Sequence, residues 1–168
     1  MKSFALILVL MTIFFGCSKK DSNPVVDDTK PATGYIRGYV NGDSWYTNSI
    51  RTGKSGVTRI VRATQSLSNN QNYSSAVLEF KISVNQPGNF GIGEDEPGYV
   101  YFVKAYYTLV GKNGHADQLY KAYYEDTSLL TITEYDDTHL YGTYNFIAHT
   151  DDTLHTVEFT NGSIQINY

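Results

Sequence analysis

The chain has 168 residues, a formal net charge of -4 and a single cysteine. That length suits one domain with a real hydrophobic core. The absence of a basic stripe speaks against a nucleic-acid partner, and one thiol excludes both an internal disulfide scaffold and a cysteine metal cluster.

Met1-Lys2-Ser3 is a short head with one positive charge, followed by "FALILVLMTIFF" from Phe4 to Phe15, in which Thr12 is the only polar residue. A spanning helix needs roughly 20 apolar residues, so this run is short for one and suits a signal-peptide core. A surface-packed helix would show a polar face, and this segment has none. It ends in Phe14-Phe15-Gly16-Cys17, which resembles the lipobox of a bacterial lipoprotein signal. The resemblance implies removal of residues 1–16 and a lipid thioether on Cys17. With a second acyl chain on the new amine the anchor becomes firm. No Asp stands directly after the cysteine, which by the same resemblance favours the outer membrane over the inner. Lys20-Asp21 loosely resembles a surface-export signal of Bacteroidota lipoproteins, so both the periplasmic face and the cell surface stay open. Residues 17–33 read as a lipidated N-terminus and flexible, proline-containing tether, and residues 34–168 as a single β domain.

From Gly34 onward the hydrophobic period is two. Fifteen Tyr and eight Phe suit strands with one partly wet face. "YIRGYVNGDSWYT", residues 35–47, predicts a strand and a turn at Asn41-Gly42, with Trp45 as a core plug. "VTRIVRATQS", residues 57–66, is a weaker strand followed by an Asn-rich loop. "SAVLEFKISV", residues 75–84, puts Ala76, Leu78, Phe80, Ile82 and Val84 on one face and Glu79 and Lys81 on the other. A loop then runs over residues 85–98, with a short strand at Phe90 to Ile92. In residues 99–124 a type I′ turn at Asn113-Gly114 predicts Tyr107 opposite Tyr120, Ala105 opposite Ala122 and Val103 opposite Tyr124. Lys104 then meets Tyr123 and Tyr106 meets Lys121 on the wet face. "LLTITEY", residues 129–135, points Leu130 and Ile132 inward. "GTYNFIA", residues 142–148, aligns Gly142, Tyr144, Phe146 and Ala148. A last hairpin is predicted at Asn161-Gly162, with Phe159 facing Ile164, Val157 facing Ile166 and His155 facing Tyr168. The expectation is an all-β antiparallel meander of about nine or ten strands, either a two-sheet sandwich or a closed, lipocalin-like barrel.

Chemistry-bearing motifs are sparse. His139 follows Asp136-Asp137, and His149 and His155 flank Asp151-Asp152. Such groups can ligate zinc, but Asp pairs are also ordinary turn formers, and the turn reading is preferred. His115 reads as surface beside a turn. Glu94-Asp95-Glu96 reads as a solvated loop. Neither HExxH nor a calcium-loop pattern is present, and no nucleophile sits in a recognisable elbow. No catalytic residue, metal or cofactor is assigned, and an enzyme is not expected. The better lead is the wet-face pair Tyr106 and Tyr123, which can stack on a glycan, a small ligand or an envelope protein.

"VNGDSWYT", Gly142-Thr143-Tyr144 and Asn161-Gly162-Ser163 resemble signatures of a family of small Bacteroidota lipoproteins of unknown function. The resemblance implies a β fold and a lipid-anchored envelope protein, and it implies no reaction. The leading reading is a cell-envelope lipoprotein with a non-catalytic binding or structural domain. A barrel-cavity carrier and a hydrolase or metal-dependent enzyme are the alternatives.

Overall fold

The computed structural model describes residues 30–93, 103–124 and 128–168. The signal segment, Cys17, most of the tether, Glu94-Asp95-Glu96 and residues 99–102 lie outside the described residues. Every element described is a strand: β1 (Lys30–Val40), β2 (Asp43–Thr47), β3 (Ile50–Ser55), β4 (Thr58–Ser66), β5 (Tyr73–Ile82), β6 (Gly88–Gly91), β7 (Val103–Gly111), β8 (Gln118–Ala122), β9 (Leu129–Tyr135), β10 (His139–His149) and β11 (Thr156–Asn167). β1 begins at Lys30, inside the stretch expected to be tether, because Lys30, Pro31 and Ala32 pair with Thr52, Arg51 and Ile50. The partner strand β3 had no sequence signal. Its "IRTGKS" carries a glycine and two cations, and only its register against β1 and β4 makes it a strand.

The ladders are antiparallel and close on themselves. β11, β1, β3, β4, β5, β7, β8 and β10 form a ring of 8 strands. The single sheet with its ring fits the expected all-β meander, sandwich or barrel-like, and two strands change partner along one edge. One edge of β1 pairs with β3 at Lys30–Ala32 and with β2 at Ile36–Val40. One edge of β10 likewise pairs with β9 from Leu140 to Asn145 and with β8 at Ala148 and His149. Thus β2 and β3 share one edge of β1, their junction forming a corner of the ring, and β8 and β9 share one edge of β10. At the first corner Thr47 Oγ1 donates to the Thr64 carbonyl (2.5 Å) and accepts from the Ser49 amide (3.0 Å).

The first hairpin has its expected register at Tyr106–Lys121 and Tyr107–Tyr120, with φ positive at both Asn113 and Gly114. The predicted ladder beyond that point does not form. β8 leaves β7 and pairs Ala122 with Ala148 instead of Ala105, which closes the ring.

The predicted tail hairpin is also overturned. β11 runs unbroken through Asn161-Gly162, paired with β10 on one edge and β1 on the other. Asn161 takes φ 50 and forms a bulge, visible as a slip between Tyr144 and Phe146 on β10 and between Arg37 and Tyr39 on β1. The bulge resets the side-chain phase, so Phe159 and Ile164 both point inward although they do not face each other. Gly162 is required here by contact, since a Cβ would lie 2.4 Å from the Tyr144 ring. That ring spans the bulge, and its hydroxyl donates to the Arg37 carbonyl at 3.3 Å.

Rings fill the interior. Phe146 stacks on Phe159 at 4.4 Å, Phe80 meets Tyr144 edge-on at 5.1 Å, and Tyr107 meets Phe159 at 5.1 Å. The predicted inward residues of β5, β9 and β10 are all buried, as is Trp45.

Candidate functional site

With the inner face committed to packing, the outer face of β4, β5, β7 and β8 brings polar and aromatic groups together. Strand alternation fixes this. Arg62 pairs with Glu79, Glu79 with Tyr106, and Tyr106 with Lys121, one residue per strand across the sheet. Arg62 Nη2 and Nε reach Glu79 Oε2 at 2.6 and 3.0 Å. Lys81 Nζ lies 4.9 Å from the centre of the Tyr106 ring, and Lys121 Nζ meets Asp151 at 2.7 Å. Lys81 stands directly opposite Lys104, a like-charge pairing that a sheet does not choose for stability. Arg62, Glu79, Lys81, Tyr106 and Lys121, with Val77, Thr108 and Leu119, line an open groove of about 530 Å³.

The two tyrosines singled out in the sequence have different fates. Tyr106 lines the groove. Tyr123 lies just past the end of β8, against His149 at 6.0 Å, and is not part of the lining. The strand switch at Ala122 separates them, and hairpin register alone carries no signal of it. Cys17 lies outside the described residues.

The Asp-His stretches are turns. Asp136 Oδ1 accepts from the Thr138 amide (2.6 Å), the Thr138 hydroxyl (2.7 Å) and the His139 amide (2.7 Å). Those bonds, the hydroxyl first, hold its carboxyl well below the usual carboxylate range. Asp152 accepts from the Thr150 hydroxyl and the Leu154 amide, and is lowered for the same reason. Thr138 Oγ1 also lies 2.6 Å from His139 Nδ1. Among the described residues no three His, Cys, Asp or Glu side chains gather as a metal site.

Sequence reading missed one cluster. Arg59 is 5% exposed, at the end of the ring, with its guanidinium 3.7 Å from the Tyr168 ring centre and 5.6 Å from that of Tyr135. The signal was present, because in β4 Arg59 shares the parity of Val61 and Ala63, which face the core. Lys30, Thr52, Lys54, Asp137 and Tyr168 surround it and line a second opening of about 520 Å³.

Three short motifs lie side by side. Trp45 pairs with Gly38, Tyr144 with Gly162, and Thr143 with Ser163. The Asn41 side chain accepts the Glu158 amide at 2.8 Å. Together they brace the β1–β11–β10 joint. No curated protein and no solved structure matches the chain. A family model matches residues 32–166, from β1 to β11 and thus around the whole ring, and the chain belongs to that family, the domain of unknown function DUF6252.

Proposed function

We propose that the protein is a lipid-anchored component of a bacterial cell envelope, tethered at Cys17, whose β domain binds a saccharide on the outer face of β4, β5, β7 and β8. The observation that carries the reading is the groove itself, where Tyr106 lies among Lys81, Lys121, Glu79 and Arg62. A sugar presents C–H faces and hydroxyls together. An aromatic ring meets the first, and charged donors and acceptors meet the second. The Lys81 ammonium over the Tyr106 ring is on a flexible stem and can yield to a stacked sugar. The filled interior favours a surface site over a cavity carrier among the described residues. The anchor reading rests on the hydrophobic leader and Gly16-Cys17.

The test is a glycan-binding screen on the full chain beside Tyr106→Ala and Tyr123→Ala. Tyr106→Ala abolishes binding to any hit and Tyr123→Ala leaves it nearly unchanged. Equal binding by all three proteins refutes the groove. For the anchor, Cys17→Ser removes incorporation of radiolabelled fatty acid, and persisting label refutes the lipobox.

A further inference from the structure

We propose that the end of the ring around Arg59 is a binding site for a phosphate monoester group. A guanidinium taken out of water needs a close counter-charge or several hydrogen bonds. Arg59, at 5% exposure, has only one distant counter-charge and one long hydrogen bond. Its Nε donates to the Tyr135 hydroxyl at a long 3.4 Å, and its Nη2 is 3.8 Å from Asp137 Oδ1. That carboxylate is 91% exposed and is already held by Lys54 Nζ at 3.1 Å. The remaining Arg59 contacts are the faces of Tyr168 and Tyr135, which fix the plane of the fork without satisfying its donors. A rigid, pre-oriented guanidinium suits an oxyanion that accepts two parallel hydrogen bonds.

The balance of charge favours an anion. Lys30, Lys54 and Arg59 line the opening with Asp137 as the one carboxylate side chain among the lining residues. The nearby Asp136 carboxylate is engaged by its own turn. The lining side chains alone leave about two positive charges, and the ionised Asp136 beside them reduces the local excess to about one, on a chain whose net charge is -4; that excess favours an anion, and a monoester carries about -1.5 to -2 at neutral pH. Tyr168 supplies a further sign, since its hydroxyl is buried with no hydrogen-bond partner among the described residues. The site is separate from the outer-face groove, shares no lining residue with it, and does not depend on the saccharide reading. Lys30 begins the first strand, so the opening lies where the chain enters the domain. The phosphate can belong to a soluble metabolite or to a lipid headgroup.

Inorganic phosphate, titrated into the full chain and read by thermal unfolding, raises the midpoint saturably beyond a chloride control of equal ionic strength. Lys54→Gln weakens that affinity about tenfold, the loss expected for one charge-assisted contact. Arg59→Gln abolishes the effect if it folds, and Lys54→Gln carries the test if it does not. Flotation with phosphatidylcholine vesicles, with and without phosphatidic acid, separates the sources. Phosphatidate-dependent flotation that Lys54→Gln weakens points to a headgroup, and phosphate binding without it points to a soluble monoester. Identical midpoints in phosphate and chloride, with flotation indifferent to phosphatidate, overturn the proposal.

Discussion

At the residue scale, two glycines illustrate different constraints. Gly42 sits at φ +86 in open space, whereas Gly162 is pressed under a ring. Gly42→Ala is therefore a backbone problem costing about 1–2 kcal/mol. Gly162→Ala is a packing problem costing about 1–3 kcal/mol. Because its clash partner is Tyr144, the cost should largely vanish in a Tyr144→Ala background, and a double-mutant cycle by urea unfolding reads the coupling. Asp136 permits a test by pH. Its carboxyl is lowered by the Thr138 and His139 bonds, so it stabilises the fold above the unfolded value of 3.8 and loses that contribution as pH falls toward the folded one. Asp136→Ala should be less stable than wild type at pH 7, with the gap closing in strong acid. A constant gap contradicts the turn assignment. Arg59 was legible at this scale only in part. Parity marks it as inward, but the two rings that receive it come from β9 and from the residue after β11.

At the element scale, the inward faces of β5, β9 and β10 were legible because each alternates cleanly and is buried on one side only. The three Asn-Gly pairs were not equally legible. At residues 41–42 and 113–114 both φ values are positive and the chain reverses, while at 161–162 only the Asn is positive and the strand continues. The dipeptide supplies a residue able to adopt positive φ. Whether it makes a turn or a bulge is decided by what pairs on either edge, here β10 and β1. The strand switches at Thr47–Ile50 and after Ala122 were hidden for the same reason, and the second of these separates Tyr123 from the groove. One consequence is measurable. Phe146 lies where β10 leaves β9 for β8 and stacks against Phe159 of β11. Phe146→Ala should cost about 3–5 kcal/mol by urea unfolding, and a loss under 1 kcal/mol would mean the rings are not packed as described.

At the scale of the whole molecule, closure explains how the core is enclosed and why the proposed site lies on the outer face. Closure pairs each of the eight ring strands on both sides, while β2 and β6 pair on one side only among the described residues, so most strand edges are hidden from other chains. Several tyrosine hydroxyls are enclosed in the process. Burial, reinforced by Tyr120, pushes Tyr107 up to about 12, and burial also raises Tyr144 and Tyr168. The unfolded chain sheds these protons from pH 10 upward while the folded one keeps them, so stability falls as pH rises through that range. Absorbance titration should therefore show exposed tyrosines ionising first and a second group only with unfolding. A single smooth step would contradict the enclosed core. The motifs on which the sequence resemblance rests sit at the joint of β1, β10 and β11, where they brace the closure, while the groove and the Arg59 opening are set by residues outside them. The central claim is that recognition occurs on the outer face of a filled ring. Amide and side-chain chemical-shift mapping of the full chain with a saccharide hit tests it most directly. Perturbations confined to Lys81, Tyr106, Lys121 and their neighbours are the predicted result. Perturbations centred on Phe80, Phe146 and Phe159, with the outer face unmoved, would contradict it.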